Sequence, residues 1–86
     1  MKYNSPEMKE LLTKALEDEP ESKAVIEEAY EGSENAIAAL ICLLKDYGQY
    51  ELAKIWEKEY EDDFIVQDML DSVRLTDWTD LWSGVL

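Results

Sequence analysis

The chain has 86 residues, which make one small domain near the lower size at which an apolar core stands without disulfides or metals. It carries 21 acidic against 8 basic residues, no histidine and a formal charge of -13, so direct contact with nucleic acid or an anionic membrane is repulsive. With 47% hydrophobic residues it is no disordered acidic tail, and with three glycines and two prolines it lacks the turn content of an all-β fold.

In chain order, Ser5, Pro6 and Glu7 form a helix start: an N-cap hydroxyl, a proline at the first helical position and an acid where the helix dipole favours it. The segment before them has no hydrophobic stretch of signal-peptide type, which predicts a cytoplasmic protein. Met8, Leu11, Leu12, Ala15 and Leu16 follow with helical spacing and predict one buried stripe. Pro20 suits the start of a second helix over about 20–31, with Val25, Ile26, Ala29 and Tyr30 inward and Gly32 ending it.

Ser33 then caps a third helix that contains the apolar run Ala36, Ile37, Ala38, Ala39, Leu40, Ile41, Cys42, Leu43 and Leu44. Nine such residues leave a helix no polar face, so it must lie in the middle of a domain or in a bilayer, and a bilayer needs about twenty. The run therefore predicts the central helix of a bundle. Cys42, the single cysteine, cannot form an internal disulfide and reads as a small core residue.

Gly48 ends this helix, and a fourth over about 49–60 has Leu52, Ala53, Ile55, Trp56 and Tyr60 on its apolar side. Leu44, Tyr47, Gly48, Tyr50, Glu51 and Ala53 resemble one helical hairpin of the tetratricopeptide type, the likeness centring on 47–53. It implies a left-handed glycine turn, Tyr50 wedged between the two helices, and Ala53 allowing their close approach. No second copy occurs at a 34-residue spacing, so a repeat array is not expected.

Asp62 or Asp63 can cap a fifth helix whose inward stripe is Ile65, Val66, Met69, Leu70 and Val73, joined by Phe64. Around Thr76 to Asp80 a short last helix begins, with Trp78 and Trp82 one turn apart. Those tryptophans either dock across the bundle or offer an aromatic anchor to a partner. The expected fold is an all-α bundle of about five helices plus a short C-terminal one, around the apolar helix over 36–44.

Catalytic signatures are missing: there is no histidine, no glycine-rich phosphate loop, and the acids after Glu57 lack the order of a calcium loop. The expectation is a non-enzymatic protein with no metal and no cofactor, whose function lies in its charge. That charge gathers in two blocks. Residues 17–34 hold eight acids and one lysine, and residues 57–71 hold seven acids and one lysine, whereas 35–56 is neutral overall.

The candidate binding residues are Glu17, Asp18, Glu19, Glu21, Glu27, Glu28 and Glu31 in the first block, and Glu57, Glu59, Glu61, Asp62, Asp63, Asp68 and Asp71 in the second. Carboxylates on successive helical turns stand about 5 to 6 Å apart, close to the phosphate spacing along a strand, and each accepts a bidentate arginine. The predicted partner is a basic nucleic-acid-handling protein. In size, acidity and helical character the chain resembles the small phage inhibitors of bacterial defence, the anti-CRISPR and anti-restriction proteins, several of which mimic DNA. The likeness implies a CRISPR effector or restriction enzyme as target. Two alternatives remain open: an immunity protein against a nuclease toxin, and a helical adaptor or homodimer whose charge serves solubility alone.

Overall fold

The computed structural model describes residues 3–72, which form five helices: α1 (Pro6–Ala15), α2 (Ser22–Tyr30), α3 (Glu34–Asp46), α4 (Tyr50–Glu59) and α5 (Phe64–Ser72). No strand occurs among the described residues. The last predicted helix, with Trp78 and Trp82, lies outside them, as does Val73.

The organising element is α3. All nine residues of its apolar run are buried, and the helix packs against α2, α4 and α5, while α1 packs against α2. Ala36, Ala38 and Ala39 keep the helix thin enough for neighbours on several sides, and the larger Ile37, Leu40, Ile41, Leu43 and Leu44 fill the spaces between them. One continuous core joins this run to Met8, Leu12 and Leu16 from α1 and the turn after it, Val25, Ile26 and Ala29 of α2, Ala53 and Trp56 of α4, and Val66 of α5. Each fully buried aliphatic side chain contributes about 1.5 to 3 kcal/mol.

Helix ends follow their local signals. Ser5 and Ser33 accept hydrogen bonds from the Met8 and Ala36 amides at 3.2 and 3.3 Å. Both α2 and α3 close with the same glycine motif. After α2, the Gly32 and Ser33 amides donate to the Ala29 and Glu28 carbonyls; after α3, the Gly48 and Gln49 amides donate to those of Lys45 and Leu44. The motif requires left-handed backbone at the glycine, and the φ values are +97° at Gly32 and +75° at Gly48. The second helix starts at Ser22, after Pro20, because a turn through Glu19 intervenes: the Glu19 amide donates to Leu16 O and the Ser22 amide to Glu19 O.

An aromatic cluster joins the first residues to α2 and α4. Trp56 is fully buried, with Tyr3 edge-on at 5.0 Å between centroids, Tyr30 tilted at 5.7 Å and Tyr60 stacked at 6.4 Å. The Tyr3 and Tyr60 hydroxyls hydrogen-bond at 3.2 Å, and the Tyr30 hydroxyl donates to Ser5 O at 3.1 Å. Burial, then the bond to Tyr3, pushes the Tyr60 phenol far above its usual range.

Several predicted core residues are not buried. Leu11, Ile55, Ile65 and Phe64 are exposed, because only the centre of each apolar stripe meets a neighbouring helix. Tyr50 does not wedge between helices: it opens α4 and is 62% exposed. The Gly48 turn and the buried Ala53 of the hairpin do form, so α3 and α4 approach through the small residue without the tyrosine.

A Cβ at Gly48 meets nothing within 4 Å, so the cost of Gly48→Ala is that of backbone conformation alone. Chemical denaturation of this variant is expected to show a loss of about 1 kcal/mol or slightly more. Cys42 supplies a second test. Burial raises its thiol from 9.0 to about 11, so in that interval the unfolded chain has released a proton that the folded chain retains. Stability from this group is complete below pH 9 and is lost as pH rises towards 11. Denaturant midpoints are expected to fall across that window, and Cys42→Ala to flatten the fall.

Candidate functional site

Among the described residues no group of three or more acids or cysteines is arranged to hold a metal ion, and no helix is long and apolar enough to cross a membrane. The candidate surface is therefore the acidic one, and its layout follows from where the helix ends meet.

Glu17 and Asp18 are exposed in the turn after α1, and Glu21 is exposed at the start of α2. Glu19, between them, is half-buried. Its carboxylate accepts the Tyr47 hydroxyl at 3.1 Å, from the far end of α3, and the Glu21 amide at 3.4 Å. Desolvation, the bond to Glu19 and the charges of Glu19, Asp18 and Asp46 all raise the Tyr47 phenol. Asp18, Glu19 and Asp46 thus act on one hydroxyl, although Asp46 is 28 residues from Asp18 in the chain. Asp46 also acts, with Glu57, on the Cys42 thiol, where Lys45 opposes them.

Next to that thiol, Lys45, Asp46, Glu57, Gln67, Leu70 and Asp71 line an open groove of about 350 Å³ between α3, α4 and α5. The C-terminal end of α3 is consequently a junction. Glu19, with Asp18 beside it in the chain, reaches it from the first acidic block through the Tyr47 hydroxyl, and Glu57 and Asp71 from the second line the groove with Asp46. A helix C-terminus carries partial negative charge, which disfavours an acid such as Asp46 there and favours Lys45 in the same turn.

The acids of each predicted block are not all placed together. Glu27 and Glu31 are exposed and Glu28 half-buried, at the Gly32 end of α2. At about 1.5 Å per residue along α2, these three acids stand about 9 to 15 Å beyond Glu21, away from the loop that reaches the junction. In the second block, Glu57 is already paired: Lys45 contacts its Oε1, an oxygen shut off from solvent that has no other donor. Such a half-exposed pair contributes about 0.2 to 1 kcal/mol. Asp63 is committed as the cap of α5, its Oδ1 accepting the Ile65 and Val66 amides at 3.0 and 3.1 Å. Glu59, Glu61, Asp62, Asp68 and Asp71 are exposed at the end of α4, in the turn, and along α5.

No known protein family matches this chain, and no curated protein or solved structure does so either. The surface must be read from its own chemistry.

One acid at the centre of this arrangement, Asp46, was not among the sequence candidates, because it lies in the stretch that is neutral overall. Its sequence signal is an acid in the last turn of a helix, the position where acids are least favoured. The basic residues Lys9 and Lys14 line a different depression, on α1, with Pro6, Glu10 and Thr13. Lys9 lies over the Tyr30 ring, 5.5 Å from its centroid.

Asp46→Lys, which puts a base in place of an acid in the last turn of α3, is expected to stabilise the fold by about 0.5 to 1 kcal/mol in thermal or chemical denaturation. Raising salt from about 0.05 to about 0.5 M is expected to raise the melting temperature of the unaltered chain more than that of the variant. Equal salt responses would place the repulsion elsewhere.

Proposed function

We propose that the chain is a non-enzymatic inhibitor that occupies the basic nucleic-acid-binding surface of another protein, in the manner of a phage anti-CRISPR or anti-restriction protein. The observation that supports this reading is the junction. Acids from both blocks meet where the α3 dipole disfavours them; Glu19 and Glu57 there also serve the fold, whereas Asp18, Asp46 and Asp71 are exposed. Stability given up to concentrate one sign of charge is the pattern of a binding surface. A carboxylate-rich strip accepts bidentate arginine bonds as a row of phosphates does, and its field speeds association with a basic partner at low salt.

The proposed binding residues are exposed acids in two groups: Asp18 and Asp46 at the junction, with Asp71 in the adjoining groove, and Glu59, Glu61 and Asp62 at the α4–α5 turn, the length of α5 (about 13 Å) away. Glu57 and Asp63 serve mainly the fold, through the Lys45 pair and the α5 cap. Inhibition is competitive with nucleic acid, and the bundle works as a rigid carrier of charge.

The test uses a panel of purified CRISPR effectors and restriction enzymes, each assayed for DNA binding by gel shift with and without the chain. Inhibition of at least one member is expected at low salt, weakening steeply as salt rises. The triple reversal Glu59→Lys, Glu61→Lys and Asp62→Lys, and the double reversal Asp18→Lys and Asp46→Lys, are each expected to weaken it by about tenfold or more with unchanged circular dichroism. Failure to inhibit any member, or inhibition untouched by both reversals, refutes the proposal.

A further inference from the structure

Phe64 is 87% exposed and Ile65 52% exposed, side by side in the first turn of α5. Large apolar side chains in such a position are normally covered, and here the inward side of the helix is supplied by Val66, with Met69 and Leu70 packed against the core. Acids surround the pair. Glu61, Asp62 and Asp63 precede it directly, and helical spacing puts Asp68 and Asp71 on the same face as Phe64, one and two turns further along.

The backbone beneath the pair is firmly held. Asp63 Oδ1 accepts the Ile65 and Val66 amides, the Asp63 amide donates to Tyr60 O at 3.1 Å, and Gln67 Nε2 donates to the same carbonyl at 2.9 Å. Tyr60 is itself tied to Tyr3. A partner that covers Phe64 therefore meets an ordered turn, and little entropy is lost in fixing it. The charge around the pair selects the occupant. A second copy of this chain would bring one acidic ring against another, whereas a basic rim would be attracted to it.

We propose that Phe64 and Ile65 are the apolar anchor of the interface with the basic partner, entering an apolar pocket whose rim is lined by lysine or arginine. The surrounding acids steer the approach and the two apolar side chains hold the complex. This rests on the inhibitor reading above and adds to it a contact that salt does not screen. The phosphate backbone has no counterpart to such a contact, so through it the inhibitor distinguishes its target from other basic proteins.

The experiment takes the panel member whose DNA binding the unaltered chain blocks and measures association and dissociation rates by surface plasmon resonance. Phe64→Ala is expected to speed dissociation about thirtyfold while leaving the association rate and its salt dependence nearly unchanged. The Glu61→Lys and Asp62→Lys pair is expected to do the reverse. Leu11→Ala, which removes an exposed leucine on α1, is expected to change neither rate. The Phe64→Ala protein should melt at the same temperature as the parent, and both should sediment as monomers.

Unchanged dissociation for Phe64→Ala, with the parent still bound in a salt-sensitive way, overturns the anchor and leaves the inhibitor reading standing. A fall in melting temperature would mean that Phe64 is covered within its own chain, and a parent dimer that this substitution dissociates would identify a second copy as the occupant; either overturns the proposal. If the parent blocks no panel member, the inhibitor reading fails and the anchor fails with it.

Discussion

Everything in this fold depends on shielding one helix from water on all its faces. The nine apolar residues of α3 cannot be satisfied by a single neighbour, so α2, α4 and α5 gather round it and α1 closes against α2. A chain of this size has one such core to build and few residues to spare for it. The outcome is a bundle whose interior is largely aliphatic and whose charged groups lie on the outer helices, in the turns and at the ends of α3. Of the charged and polar side chains, Ser22 alone is classed as buried among the described residues.

That division lets the surface carry a charge that would threaten a weaker core. Repulsion among carboxylates acts over a Debye length and opposes compaction, and at the end of α3 it adds to the helix dipole. The fold tolerates this because α3 is held by packing, which the charge of its last turn does not weaken. A few acids are used structurally: Asp63 caps α5, Glu19 accepts the Tyr47 hydroxyl and Glu57 pairs with Lys45. Most of the other acids among the described residues are exposed, and their position near helix ends makes the inhibitor reading a proposal about this surface and more than a remark on composition.

Charge and apolar contact do different work in such an interface. A field of one sign attracts many basic surfaces and discriminates poorly among them, and salt weakens it. An apolar side chain on a rigid turn adds a short-range contact that depends on shape. The α4–α5 turn carries both within a few residues, from Glu59 to Ile65. The proposals of acidic mimicry and of an apolar anchor are thus parts of one mechanism, encounter followed by retention.

The central helix, the serine caps at Ser5 and Ser33 and the glycine stops at Gly32 and Gly48 were legible from sequence, and the α5 cap was narrowed to Asp62 or Asp63, because each depends on residues within a turn or so of itself. The extent of burial was not. Helical spacing marks an apolar stripe, but how much of it is covered depends on the neighbour, which is why Leu11, Ile55, Phe64 and Ile65 face solvent and Tyr50 leaves the α3–α4 contact. The grouping of the acids was not legible either. Local charge counts identified two blocks and passed over Asp46, whereas the packing of helix ends joins Asp46 to Asp18 and Glu19, sets Glu27 to Glu31 apart, and gives Glu57 to a lysine on another helix. Sequence alone determined that this protein is an acidic helical bundle built around 36–44, since hydrophobic burial and capping are local or all-round demands. Only the tertiary structure decided which charges stand together and which apolar side chains remain outside, since both depend on distances between segments remote in the chain.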